Sequence, residues 1–331
     1  MKIIRLLEQK TTYTTDYPTA IEFAKQQAEI FWLPDEIEVE KDLHDLKTNF
    51  TEAEYHGVIS TLKLFTMYEL SVGNDYWQNY VGKIFQRPDI QRMATTFAFM
   101  EIGVHAPFYN KINEILGLDT DEFYNDYLND EVLKNRMAWI GKRTEKRDTV
   151  YDILKSVGIF SMIEGAILYS SFAFLKHFNN VGKNKLININ AGINFSAIDE
   201  TLHSQAGAWL FRTLLKEATE AGVISEEVLL ELKTELQETT SIILEHESVI
   251  IDKIFERGNI KGITENQLKH FVESRLDDCL KNLGYKAMYK PSYNPIAEWF
   301  YNDLTSTTLH DFFSSTGNDY NRNWIEGKFK W

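Results

Sequence analysis

A chain of 331 residues with 44% hydrophobic and 13% aromatic residues can bury a large core, and 17 Gly with 6 Pro impose few breaks, so long helices are the economical expectation, in one domain or two. A net charge of −14, from 35 basic against 49 acidic residues, argues against nucleic-acid binding, which needs a basic surface to displace counterions from phosphates. The single cysteine, Cys279, leaves no internal disulfide, CxxC zinc site or iron–sulfur cluster and suits a reducing, cytoplasmic compartment.

The first residues, MKIIRLLEQKTTYTTDYP, have too short an apolar stretch and no small-residue cleavage pattern for a signal peptide, and are expected to be mature sequence. Helices are then predicted near residues 17–31, 52–85, 88–116, 130–141, 147–178, 197–221, 225–256 and 265–284. Thr51 with Glu54, and Thr264 with Gln267, form capping-box patterns, while Pro88 suits a first helical turn. Gly117, Gly222 and Gly258 are expected stops. Apolar residues recur at helical spacing, as in Leu202, Ala206, Trp209, Leu210 and Leu214, and no stretch alternates with period two. Val157 to Phe174 is the most apolar run, but Gly158, Ser161, Glu164, Ser170 and Ser171 interrupt it, so a buried core helix is expected there and no membrane span. Residues 179–194 and 290–295 read as loops. From about Thr305 the sequence turns polar, so a helical domain over 1–304 and a flexible tail over 305–331 are expected, the tail's Tyr320, Trp324, Phe329 and Trp331 suggesting a docking partner.

Four of these helices carry a repeated pattern. Glu69 precedes Glu101 and His105, and Glu164 precedes Glu200 and His203, the second carboxylate coming 32 residues after the first in one half and 36 in the other. Residues three or four apart share a helix face, so Glu101 with His105 and Glu200 with His203 can each reach a common point. A lone Glu-x-x-His is an ordinary helix pair. Here it recurs, each time after a lone Glu, and Glu101 and Glu164 interrupt strongly apolar sequence, where a carboxylate is costly to bury unless paired or metal-bound. One Glu from each of two helices plus Glu-x-x-His from each of two others is the ligand set of ferritin-like dimetal bundles, and N/O ligands suit Fe and Mn. The halves differ by one residue: His105 follows its Glu by four positions, with Gly103 between them and Pro107 after. Pro107 lacks the N–H that would bond the Gly103 carbonyl, so the helix must distort, and a π-bulge is the expected solution.

With the ligands in order, the chain resembles the small, radical-generating subunit of class I ribonucleotide reductase from about Phe31 to the C-terminus. The motifs are Trp32, Pro34, Asp35 and Glu36 after Phe31; Ser60, Leu62 and Lys63; Phe97 to Glu101 with His105 and Tyr109; Asp199 with Glu200 and His203; and Asn294, Pro295 and Ile296. It departs from the family in Glu69, where many members have Asp, and in the extra residue before His105. The resemblance implies an all-α, ferritin-like bundle with additional helices, acting as an oxidoreductase in deoxyribonucleotide synthesis. Two metal ions, Fe/Fe first with Mn/Fe or Mn/Mn open, would sit on Glu69, Glu101, His105, Glu164, Glu200 and His203. Tyr109 would carry the radical, and Asp199 would orient His105. Trp32 and the tail residue Tyr320 would conduct the radical to a large catalytic subunit. A homodimer and an activating flavoprotein are further implied partners. Without the resemblance, Tyr109 and Trp32 read as core aromatics and Tyr320 as a loop residue. The competing functions are a dimetal oxidase or monooxygenase, which has no use for Trp32 and a conductive tail, and a metal-storage ferroxidase, which would be a shorter four-helix chain. Glu245, His246 and Glu247 point in different directions on a helix and are expected on a solvated face; His44, His56, His177, His270 and His310 are expected in surface or satisfied structural roles.

Overall fold

In a computed structural model, residues 3–180 and 183–314 are described, and among them there is no strand. The principal helices are α1 (Pro18–Glu29), α2 (Glu52–Leu70), α3 (Pro88–Met100), α4 (Ala106–Leu116), α5 (Glu131–Gly141), α6 (Val150–Ala166), α7 (Tyr169–His177), α8 (Ile187–Glu220), α9 (Glu226–Ile254), α10 (Glu265–Leu283) and α11 (Pro295–Ser314). The boundary marks act as their chemistry dictates. Thr51 accepts the Glu54 N–H while Glu54 accepts the Thr51 N–H at 2.8 Å, and Thr264 with Gln267 repeats the arrangement. Gly117, Gly222 and Gly258 all take positive φ, at 67°, 70° and 114°.

Three expectations are corrected. The segment 52–85 is α-helical only to Leu70 and continues as a π-helix over Ser71–Val81. The predicted helix 147–178 is broken at Ile167 and Leu168, where Leu168 adopts φ 73°. The expected loop 179–194 is half helix, because α8 starts at Ile187 and not at 197. Helix α11 runs from Pro295 to Ser314, a helix not among those expected.

Helices α6 and α8 form the centre. Ser161 Oγ donates to the Ser204 carbonyl at 2.8 Å and Ser204 Oγ donates back to the Ser161 carbonyl at 2.7 Å, a reciprocal pair that only small side chains permit. A Cβ on Gly165 would lie 2.4 Å from both Cys279 Sγ and Ser204 Oγ, so glycine is what lets α8 and α10 close on α6. The run Val150–His177 holds an 18-residue window apolar enough to cross a membrane, with a mean hydropathy of 1.5, yet that window is wholly buried inside the bundle. Its apolar surface is covered by the surrounding helices.

Candidate metal centre

The six predicted ligands meet in this core. Glu69 comes from the last turn of α2, Glu101 and His105 from the junction of α3 and α4, Glu164 from the end of α6, and Glu200 and His203 from the middle of α8. The junction is a π-helix over Glu101–His105, in which the Ala106 N–H bonds the Glu101 carbonyl five residues back. The extra residue is thus absorbed as a bulge, and both side chains face inward. None of the six exceeds 3% exposure.

Their ligating atoms form two groups, Glu69, Glu101, His105 and Glu200, and Glu101, Glu164, Glu200 and His203, each within 4.8 Å. Glu101 and Glu200 belong to both, so these two carboxylates could be shared by two ions. His105 Nδ1 lies 3.0 Å from Glu101, 3.2 Å from Glu200 and 3.5 Å from Glu69. His203 Nδ1 lies 2.5 Å from Glu101 Oε1, yet neither atom has a hydrogen-bond partner of acceptable geometry. Glu69 Oε1 and Glu200 Oε1 are also buried without one. Orphaned buried donors and acceptors are costly and rare. Four of them converging on one space fit a pair of divalent cations, and oxygen and imidazole donors fit Fe or Mn.

The electrostatics agree. Burial, followed by the neighbouring Glu101 charge, pushes the Glu69 carboxyl well up, and burial with Glu200 and Glu101 does the same to Glu164. Glu200 is raised to about 8 by burial and by the Glu101 and Glu69 charges. Glu101 goes the other way: burial would raise it, but His105 and His203 together hold it well below the usual carboxylate range. Burial would depress both imidazoles, and the Glu101 carboxylate instead lifts them. A divalent ion entering this cluster must displace those protons.

Outer partners fix the imidazoles. Asp199 accepts from His105 Nε2–H at 2.9 Å, from Trp32 Nε1–H at 2.9 Å and from the Gln27 carboxamide at 2.8 Å. Because a carboxylate only accepts, Gln27 must turn its NH2 to Asp199 and its oxygen to His203 Nε2–H, 2.9 Å away. Both histidines therefore present Nδ1 to the centre. Trp32 is buried and stacks on the His105 ring at 5.9 Å. Tyr109 is fully buried beside Phe65, its hydroxyl unbonded, its pKa driven well up by burial and then by Glu69. Tyr320 lies outside the described residues.

Sequence reasoning missed two residues. Gln27 is one; the other is Trp77, fully buried in the π-helical segment, whose Nε1–H donates to Glu164 Oε1 at 2.5 Å. It also misplaced one. Glu245 is exposed as expected, but Glu247 is buried, where it binds Arg136 at 2.5 Å and accepts from Ser170 Oγ. His56 and His177 face the carbonyls of Lys253 and Lys261, and His270 faces that of Tyr293, which are structural roles.

A family profile described as "Ribonucleotide reductase, small chain" matches residues 9–295. The chain is 26% identical, over 99% of its length and 89% of the relative's, to the probable ribonucleoside-diphosphate reductase small subunit 048L of Invertebrate iridescent virus 3. It is 26% identical to the ribonucleoside-diphosphate reductase subunit beta of Bacillus subtilis (strain 168), over 92% of this chain and 89% of that one. Among solved structures, a putative class I ribonucleotide reductase from Bacillus halodurans superposes with a TM-score of 0.74 at 24% identity, covering 86% of this chain and 99% of that one. The dimanganese(II)-NrdF of Streptococcus sanguinis gives 0.71 at 19% identity, covering 87% and 98%.

Proposed function

Since the chain belongs to the ribonucleotide reductase small-chain family and is a ribonucleoside-diphosphate reductase small subunit, we propose that it generates and stores, at Tyr109, the radical used by a large catalytic subunit to reduce ribonucleotides. The observation that carries this reading is the pair of ligand clusters sharing Glu101 and Glu200, with Tyr109 buried against them. When bound, the two metals, Fe/Fe or their manganese counterparts, supply dioxygen activation and a one-electron oxidant.

The chain's own residues do the rest. Glu69, Glu101, His105, Glu164, Glu200 and His203 hold the ions and exclude water from them. Tyr109 would give up an electron and its phenolic proton to the oxidised centre; until then burial, followed by the Glu69 charge, keeps the phenol protonated. Asp199 holds His105 and Trp32 on one oxygen, so as Trp32 gives up an electron by way of His105 it can pass its indole proton to Asp199 Oδ2 over 2.9 Å. Phe65 and Phe108 pack on Tyr109 and shield a radical there from solvent. Tyr320, in the tail over 305–331, would carry the radical on to the large subunit. A homodimer in the cytoplasm, with an activating flavoprotein as a further partner, completes the reading.

Tyr109→Phe tests it. The variant should take up the same two metals per chain, lose any tyrosyl signal in electron paramagnetic resonance, and lose reductase activity when mixed with a large subunit. Unchanged activity would remove Tyr109 from the pathway.

A further inference from the structure

The helix that carries Glu164 ends at Ala166, and a new helix starts at Tyr169. Ile167 has ψ 143° and Leu168 φ 73°, so the chain leaves the helical path directly after the ligand. The Tyr169 N–H that would close the ladder on the Gly165 carbonyl is carried away with it. That carbonyl, next to Glu164, is served from another helix: Arg275 Nε of α10 donates to it at 2.8 Å. The same guanidinium lies 3.9 Å above the Tyr169 ring, the first residue after the break, and its Nη1 donates to Tyr301 Oη of α11 at 3.1 Å. Arg275 is 6% exposed, and its partners among the described residues are a carbonyl, a phenol hydroxyl and the rings of Tyr169 and Tyr301. Burying a guanidinium without a carboxylate is expensive. A neutral side chain could pack this space, but it could not hold both ends of the break and α11 at once.

We propose that Arg275 is a positioning residue for the metal centre, clamping the break after Glu164 so that this carboxylate faces His203 and Glu200. The proposal rests on the two-metal reading and assigns the clamp to one of the two ions, because Glu164 belongs only to the group containing His203.

The test is titration of the metal-free full chain with Mn(II), following free and bound ion by electron paramagnetic resonance. The wild type should bind two ions and give a spin-coupled pair. Arg275→Gln should bind the Glu69/His105 ion with unchanged affinity and the Glu164/His203 ion roughly tenfold or more weakly, as outer partners of ligands do, leaving an uncoupled six-line signal at intermediate Mn(II). Arg275→Lys, which keeps the charge and loses the fork, should behave alike. Two ions bound as in the wild type, or both weakened equally, would overturn the clamp. If Arg275→Gln does not fold, Tyr301→Phe decides: a smaller loss confined to the same ion supports the proposal, and no selective loss overturns it. A wild-type chain that binds no Mn(II) would instead refute the two-metal reading on which the clamp depends.

Discussion

Gln27 connects the two histidines of the centre, taking His203 Nε2–H on its oxygen and giving its NH2 to Asp199, which in turn holds His105. Replacing it with leucine leaves a buried imidazole nitrogen unpaired and one acceptor site of Asp199 empty. Gln27→Leu should therefore weaken Mn(II) binding by roughly 10- to 100-fold with helical content by circular dichroism unchanged; wild-type affinity would show that packing alone orients His203. The six ligands could be read from the sequence because residue type, spacing and apolar surroundings are all local. Gln27 could not, since its partner lies 176 positions away, and a buried glutamine on a short helix looks like any other. Trp77 was hidden for the same reason: an indole in an aromatic stretch carries no mark that it faces Glu164. Glu247 failed through tertiary cover, because α5 brings Arg136 onto the one side of α9 that its exposed neighbour Glu245 does not share.

Helix α8 begins where local propensity is weakest. Asn188, Asn190, Gly192 and Asn194 are poor helix formers, and the N-terminal turn is secured from elsewhere: Asp42 accepts the Ile189 N–H at 2.6 Å and the Asn188 amide at 2.8 Å, and Asp45 accepts the Leu186 N–H at 3.1 Å. These are N-cap contacts supplied by a segment far away in the chain. Asp42→Ala should thus cost about 1–2 kcal/mol in urea unfolding, and a change below a few tenths would mean that the helix start is held by packing. The bulge over Glu101–His105 was readable because a proline, a glycine and an odd residue count all demanded it. The break at Ile167 and Leu168 has no such signal: both residues are compatible with a helix, and the turn is imposed by neighbours such as Arg275 and Phe271 that pack against Tyr169. The π-helix over Ser71–Val81 is equally silent, containing no proline and only one glycine. It carries Trp77, whose Nε1–H donates to Glu164.

For the molecule as a whole, the centre is an electrostatic liability until it is filled. Four carboxylates lie inside an apolar bundle in a chain already carrying −14, and in the metal-free state the cluster is kept tolerable by protons. Glu200 shows the sign: its carboxyl titrates at about 8 in the folded chain against 4.5 when unperturbed, so the folded state holds a proton that the unfolded state has released. Its contribution to stability is fully present below about pH 4.5 and is lost as pH rises through about 8. Glu69 and Glu164 are raised for the same reason and act in the same direction. Metal binding reverses the dependence, because each ion displaces protons and binds more tightly as pH rises, stabilising the fold by mass action. Scanning calorimetry of chelated and Mn(II)-loaded protein should then show the metal-free Tm falling between pH 6 and 8 while the gap to the loaded Tm widens. A gap that stays constant across that range would mean that the carboxylates are already ionised in the empty bundle, and that something other than protons balances their charge.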